Sequence, residues 1–443
     1  MKRLLVFVFV FSTITISAQS YIGYITDNYN GVHGVTANPA NIADARVKLD
    51  VNLVSFSALV ANDYVGFSLD NITQLADGLD FNGLNTFPSN QNEILANADV
   101  MGPSFMFSLS EKHSVGLISR LRMVNNYNAL GGELFESLVN GFPNEAYDFE
   151  QNNLDGTTHI WGEVGLSYGR VLFYDFDQHY LKAGVTLKYL QGAGFAQGSS
   201  ESLSGNFNAA SNQLNLNGDF SYSTNIDQGQ EINDYTENMS TGFGMDLGVV
   251  YEFRTRNSRL GGVADNPRAL NKYRVKVGLS LLDYGKITYD QQVLENYAVN
   301  GPVNADEVEA DFKQALDNNF TKNAADGDVT IALPTSLKLN IDYQVANRIY
   351  ANLDINQTVV KKEGLFNNNR LNLITFTPRF ETRIISAYLP ISYSPLGKTS
   401  IGAGLKLGPL FIGSGSILSN LMSDNTQMAN IYLGFKKAFN HRR

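Results

Sequence analysis

Residues 241–253 read TGFGMDLGVVYEF. In an extended chain Phe243, Met245, Leu247, Val249, Tyr251 and Phe253 share one face, while Gly244, Asp246, Gly248 and Glu252 share the other. A period of two predicts a β-strand. It does not say which face meets water. In a soluble sandwich the apolar face would be buried; in a membrane barrel it would meet lipid and leave the charges in the lumen.

The pattern recurs along the chain. Leu181, Ala183, Val185, Leu187 and Tyr189 alternate with Lys182, Gly184, Thr186 and Lys188. Leu337, Leu339, Ile341, Tyr343 and Val345 alternate with Lys338, Asn340 and Asp342. Val115, Leu117, Leu121 and Met123 oppose Arg120 and Arg122, and Val275, Val277, Leu279 and Leu281 oppose Lys276. Each run is about ten residues, the length of a tilted strand crossing a hydrocarbon layer.

The chain begins MKRLLVFVFVFSTITISAQS. Lys2 and Arg3, the apolar run Leu4 to Phe11, and Ser17-Ala18 have the order of a secretory leader, so residues 1–18 are expected to be a signal peptide. With no cysteine, the chain has neither a disulfide framework nor a thiolate metal site. No later segment approaches the roughly 20 apolar residues of a membrane helix, whereas Gly, Tyr and Phe are abundant, at 39, 22 and 27 residues. One large closed sheet accounts for more than 400 residues without a linker. The net charge of −10 argues against a nucleic-acid partner.

Short connections at 111–113, 175–179 and 345–348 alternate with long polar stretches at 71–100, 126–157, 193–239, 290–331 and 417–428. Transmembrane barrels have this asymmetry, with tight periplasmic turns and long outer loops. Counting back from a final strand that ends at Phe439 in the periplasm, and reading 48–70 as one long bulged first strand, gives about 14 strands. The expected fold is therefore all-β: a transmembrane antiparallel β-barrel over 48–439, with 19–47 as an N-terminal hatch in the lumen. One helix, NADEVEADFKQALDNNF (304–320), is expected in an extracellular loop, with Val308, Phe312 and Ala315 on one face.

Four stretches together carry a resemblance to a known family: GVHGVTANPANIAD near the mature N-terminus, LKAGVTLKYLQG, TGFGMDLGVVYEF followed by VKVGLSLLDYGKITY, and LKLGPLFIGSGSI near the end. In that order they resemble FadL-type outer-membrane barrels. They are more similar still to relatives found alongside type IX secretion, which include PorV-like barrels and an uncharacterised group. The resemblance implies a 14-stranded barrel with a lumenal hatch, located in the outer membrane, and for FadL itself the passage of long-chain fatty acids. Asn41 departs from the small residue that fatty-acid transporters carry after Asn-Pro-Ala, so no binding residue is carried over.

Three groups of residues are functional candidates. Asn38, Pro39, Ala40 and Asn41 sit in the Gly- and Asn-rich hatch, whose backbone must find partners elsewhere, and they would gate the pore or merely fill it. Pro103, Pro378 and Pro390 interrupt strands of a closed sheet and mark either bulges or a gap in the wall; the family resemblance adds sideways release of ligand through such a gap. Arg120, Arg122, Lys182, Lys188, Asp246, Glu252, Lys338, Asp342, Arg348 and Asp354, with Glu163, Lys276 and Lys406, form a lumenal set of mixed sign that calls for pairing rather than for conducting one ion type.

Nothing points to catalysis. His113-Ser114 lacks a triad partner, the five histidines have no metal-ligand spacing, and the turn aspartates have no calcium-loop pattern. No enzyme activity, cofactor or metal is expected. Two functions remain: a passive channel or transporter for a hydrophobic or amphipathic small molecule, and a scaffold barrel docking an outer-membrane or secretion protein. An apolar pocket beneath the hatch would favour the first; a filled lumen with an apolar extracellular groove would favour the second. Outer-membrane lipid is a partner in either case.

Overall fold

A computed structural model describes residues 21–70, 84–175, 178–226, 240–254, 271–360, 366, 368–439 and 441. The signal peptide expected at 1–18 lies outside the described residues. Every strand pairs antiparallel with its chain neighbours, and the first pairs with the last, Leu49 opposite Phe439, so the sheet closes into a barrel of 14 strands.

In chain order the strands are β1 (Leu49–Asn62), β2 (Asn92–Met101 with Ser104–Ser108), β3 (His113–Leu130), β4 (Tyr147–Asp175) and β5 (His179–Asn208). Next come β6 (Gln213–Thr224 with Ser240–Arg254), β7 (Tyr273–Asn304), β8 (Thr321–Ala332 with Ser336–Ala346), β9 (Ile349–Thr358) and β10 (Leu373–Glu381). The wall ends with β11 (Ile385–Tyr388 with Ile391–Ser394), β12 (Lys398–Ile401 with Ala403–Leu407), β13 (Leu410–Ser414) and β14 (Met428–Phe439). No helix among the described residues is long and apolar enough to cross a membrane; the strands supply the apolar surface.

The two faces of 241–253 are now assigned. Phe243 is 74% exposed and Leu247 41%, while Asp246 and Glu252 are buried at 2% and 1%. The same holds on β5, where Leu187 and Tyr189 are exposed and Lys182 and Lys188 buried. An exterior of exposed Leu, Val, Ile, Tyr and Phe around an interior of buried charges is the outside-in distribution of a membrane barrel.

Several expectations need correcting. The first strand ends at Asn62, and beyond it Val65 and Phe67 make only isolated bridges, to Thr86 and Thr426. Much of 126–157, 193–239 and 290–331 is not loop but strand: β4, β5 and β7 run 29, 30 and 32 residues, far more than a membrane requires. Their upper halves form a cap at one end of the barrel with α2 (Gly132–Asn140), α3 (Ala305–Ala310) and α4 (Phe312–Asn319); a short α1 (Val32–Ala37) lies in the N-terminal segment and α5 (Ile417–Met422) precedes β14. The single helix expected at 304–320 is split at Asp311, whose extended backbone ends α3 and whose side chain accepts from Gln314 N to cap α4.

The cap has an unexpected handedness of burial. Along β3 the outward row Leu121, Met123 continues into Asn125 and Tyr127, and the outward row of β4, Val164, Gly162, Ile160, continues into Thr158 and Leu154. Register carries this face across to Phe220 on β6 and, past the bulge at Gln291, to Tyr297 and Val299 on β7. These residues and the helices form one apolar core. The face that looks at lipid below is thus the buried face above.

Candidate functional site

Residues 21–47 lie inside the barrel. Asn38 Nδ2 donates to the carbonyls of Val249 (3.1 Å) and Leu279 (3.2 Å), and its Oδ1 accepts from Ala40 N (2.9 Å), starting the short 3-10 turn Pro39–Ile42. Asn41 Nδ2 donates to Gly34 O at 2.9 Å and braces α1. The turn seats on a row of glycines in register across three strands, Gly169 on β4, Gly184 on β5 and Gly248 on β6. A Cβ at these positions would come within 2.3 Å of Ile42, 2.4 Å of Pro39 and 2.1 Å of Asn38 respectively. The small face of the 241–253 stretch is therefore a seat for the Asn-Pro-Ala-Asn turn.

Ion pairs fasten the segment to the wall. Asp27 meets Lys406 at 2.7 Å and is also hydrogen-bonded by the Tyr388 hydroxyl, Asp44 meets Arg254 at 2.7 Å, and Asn28 Nδ2 donates to Glu381 at 2.9 Å. Burial opposes ionisation of Asp27, yet the Lys406 ammonium together with hydrogen bonds from Lys406, Tyr388 and the Tyr29 backbone holds its carboxyl below the usual carboxylate range. His33 packs among the rings of Tyr21, Tyr24 and Phe411, with Nε2 2.9 Å from Ser55 Oγ. Its burial, with the Lys436 ammonium adding, pushes the imidazole well below its ordinary range.

Above the segment, Asp283 gathers Arg122 (2.8 Å), Lys188 (2.6 Å) and Arg370. Asp246 takes Lys188 at 2.7 Å, and Arg120 bridges Glu163 and Asp99. Isolated charges at this depth would each cost several kcal/mol; here each has an opposite partner. Asp283 reaches the centre because it bulges out of β7 at φ 57, a left-handed conformation that Asp tolerates better than most residues. Higher still, Trp161, Phe195 and Tyr289 close the lumen, with His159 between the Tyr289 hydroxyl (3.0 Å) and Asn368 (3.1 Å).

Most of the lumenal residues expected from sequence are thus brought together. Arg120, Arg122, Lys188 and Asp246 join the Asp283 network, Lys182 pairs with Glu252 at 2.8 Å, Lys338 with Asp354 at 2.6 Å, and Asp342 with Arg379 at 2.7 Å. Arg348 does not belong: it is exposed in the tight turn between β8 and β9, with φ 65. A turn residue falls on neither face of the alternation, so the pattern misplaced it. Asp283, Arg370, Arg379, Asp27 and Asp44 were missed because they sit outside the strand runs that were counted or, in a bulge, off their parity.

The prolines fall in two places. Pro103, with Gly102, separates the halves of β2, where Gly102 N still donates to Ser119 O at 3.0 Å. Pro378 and Pro390 are neighbours on β10 and β11: Pro378 O accepts from Leu389 N, and Pro390 O accepts from Gly402 N at the matching break in β12. The wall remains hydrogen-bonded across both places.

One cavity is different in kind. It leaves about 80 Å³ free to the centres of water-sized spheres within the cap, lined by Leu130, Leu134, Leu154, Leu203, Leu216, Phe220, Val299 and Phe312 among others. Gln151, itself 2% exposed, contributes a carbonyl oxygen with no hydrogen-bond partner. No sequence signal singled out this site, since its residues come from five segments separated by polar runs. The Leu134, Phe135, Leu138 spacing of α2 was the readable trace.

No curated protein matches the sequence. Among solved structures the chain is similar to a deletion variant of the TodX monoaromatic hydrocarbon channel, at 12% identity over 97% of this chain and 98% of that one with a TM-score of 0.49. It is similar to the Ralstonia pickettii toluene transporter TbuX at 11% over 98% and 100%, TM-score 0.46, and to a Pseudomonas aeruginosa FadL homologue at 10% over 98% of each, TM-score 0.43. Identities this low transfer no residue roles. The model of DUF5723, a family of unknown function, matches residues 39–415, and the chain belongs to that family.

Proposed function

We propose that the protein is an outer-membrane barrel that binds a hydrophobic or amphipathic small molecule in its extracellular cap and serves its passive transfer. The single observation that carries this reading is the cap cavity. Its wall is aliphatic and aromatic, and its few polar groups, Gln151 and Glu309, can orient a hydroxyl or headgroup. Residues 21–47 act in this reading as a lumenal hatch, with Asn38–Asn41 seated on the glycine row of Gly169, Gly184 and Gly248.

The docking alternative draws on the filled lumen, which was the feature expected of a scaffold. Against it, the apolar surface of the cap is roofed by α2, α3 and α4 and is not an open groove. Binding of diphenylhexatriene to purified barrel tests the choice. Saturable fluorescence enhancement is expected, and Val299→Trp should abolish it while heat-modifiable migration on a gel stays normal. No saturable enhancement in the parent protein would leave the docking reading in its place.

A further inference from the structure

We infer that the cap cavity exchanges its ligand with the outer leaflet of the bilayer along the outside of the β3–β4–β5 wall, not through the lumen, and that its ligand is a lipid hydrocarbon chain. The inference rests on the cavity reading above and adds the route and ligand class.

The first ground is the face. The cavity floor and the lipid-facing wall are one surface: on β3 the row Leu121, Met123, Asn125, Tyr127 rises about 20 Å at roughly 3.3 Å per residue and ends at the cavity lining. The lumen lies on the other side of the same strands. It is separated from the cavity by the sheet itself, and it holds the Trp161 layer, the Asp283 network and residues 21–47, with polar cavities left beside residues 21–47 and Arg370.

The second ground is a groove at the foot of that row. Gly102, Ser119 and Gly162 give it a low floor, and Leu121, Val164 and Tyr189 stand along its sides. The three apolar residues are 48%, 46% and 42% exposed, so the groove opens on the membrane side of the wall. A stripe of small residues between exposed apolar ones accepts a hydrocarbon chain lengthwise, where a full set of side chains would exclude it.

The third ground is what separates groove from cavity. Asn125, Thr158 and Tyr127 are buried on this same outward face, and the Tyr127 hydroxyl bonds Thr158 and Asn125. Tyr127 also lines the cavity. A hydroxyl held by two neighbours and a ring on the cavity side make a partition one side chain thick. Its polar edge suits the interfacial level of an amphiphile, while the chain continues into the apolar space.

Brominated-chain phosphatidylcholine vesicles test the route, because bromine quenches tryptophan only at close range. In a Trp161→Phe background, which removes the only native tryptophan, Phe220→Trp reports from the cavity and Phe376→Trp, 46% exposed on the far wall, reports from the bilayer. Brominated chains are expected to quench Phe220→Trp at least half as strongly as Phe376→Trp. Adding Gly162→Leu should cut the first signal several-fold and leave the second unchanged. A Cβ at Gly162 has no neighbour closer than 4.0 Å, so the substitution fits the folded wall; Gln191→Phe, exposed in the same groove, gives an independent blocking variant. Absence of cavity quenching, or quenching indifferent to both blocking variants, overturns the route. If diphenylhexatriene then still binds in lipid-free detergent, the cavity reading survives and only the membrane route falls; if it does not bind, both fall.

Discussion

The lower barrel and the cap are built from the same strands with opposite faces buried. Below, Lys188, Asp246 and Glu163 point into a closed interior and Leu187, Leu247 and Val164 point out. Above, on β4 to β7, Leu154, Leu216, Phe220 and Val299 are buried on the outward side, while Asn215, Asn217 and Asn300 of the opposite face are half-buried or exposed. The difference lies in what covers each face. Lipid solvates apolar side chains and needs no cover; water does not, so beyond the membrane the same apolar row must be roofed by helices. The lumen then holds its charges by pairing, and the cap holds its shape by apolar burial.

That contrast is sharpest at Asp283, the acid shared by Arg122, Lys188 and Arg370. Asp283→Ala should cost about 3–5 kcal/mol by stranding buried cations, seen as a large drop in the urea midpoint of heat-modifiable migration. An unchanged midpoint would mean the lumen is not held by charge pairing. Next in size is Leu247→Arg, whose guanidinium would face lipid near the midplane at about 2–4 kcal/mol. Outer-membrane yield should collapse, and Asp246→Asn should do far less, since Lys188 keeps Asp283 at 2.6 Å. Equal yields would remove the assignment of faces.

Leu316→Ala tests the other region. One side of Leu316 already borders the cavity, so the loss should be about 2 kcal/mol, the low end for a core leucine. It should speed amide exchange in α3 and α4 and leave barrel migration alone; a change in the barrel would show that the two regions are not separate. A smaller effect is expected from acid. His33 is neutral in place because its pKa is depressed, whereas a free segment titrates near 6.5. Docking of 21–47 is therefore complete above about pH 6.5 and weakens as pH falls through the depressed value, by at most about 1.4 kcal/mol per unit. Protection of this segment, measured as the ratio of intrinsic to observed exchange rate at each pH, should fall between pH 7 and pH 5, and His33→Phe should flatten the fall. The mildest test changes no stability: Asn318→Cys in the cap should react with an impermeant maleimide on intact cells, and Arg348→Cys, in a turn at the opposite end, only after permeabilisation. The reverse pattern would turn the barrel over.

Residue types at a period of two were enough to mark the wall. The two faces of 241–253 and the need to pair the charges on one of them follow from local alternation, because on a strand each side chain's face is fixed by its neighbours, and the strand number follows from the alternation of short and long connections. The Asn38–Asn41 stretch was also legible as a place whose backbone needs outside partners. Its partners were not. Gly169, Gly184 and Gly248 lie far apart in sequence and form one seat only through strand register. Arg348 shows the limit from the other side, since alternation assigns a face even where the chain has turned. The height of β4, β5 and β7, the split of α3 from α4 and the cap cavity are likewise tertiary: runs such as QLNLNGDFSYS carry too little apolar character to announce a strand alone, and become strands because neighbouring chains pair with them and helices roof their apolar row. Sequence determined what each residue prefers to face; only the closed, then flaring, sheet decided which of those faces meets lipid, lumen or a cavity, because that depends on curvature and cover supplied by residues remote in the chain.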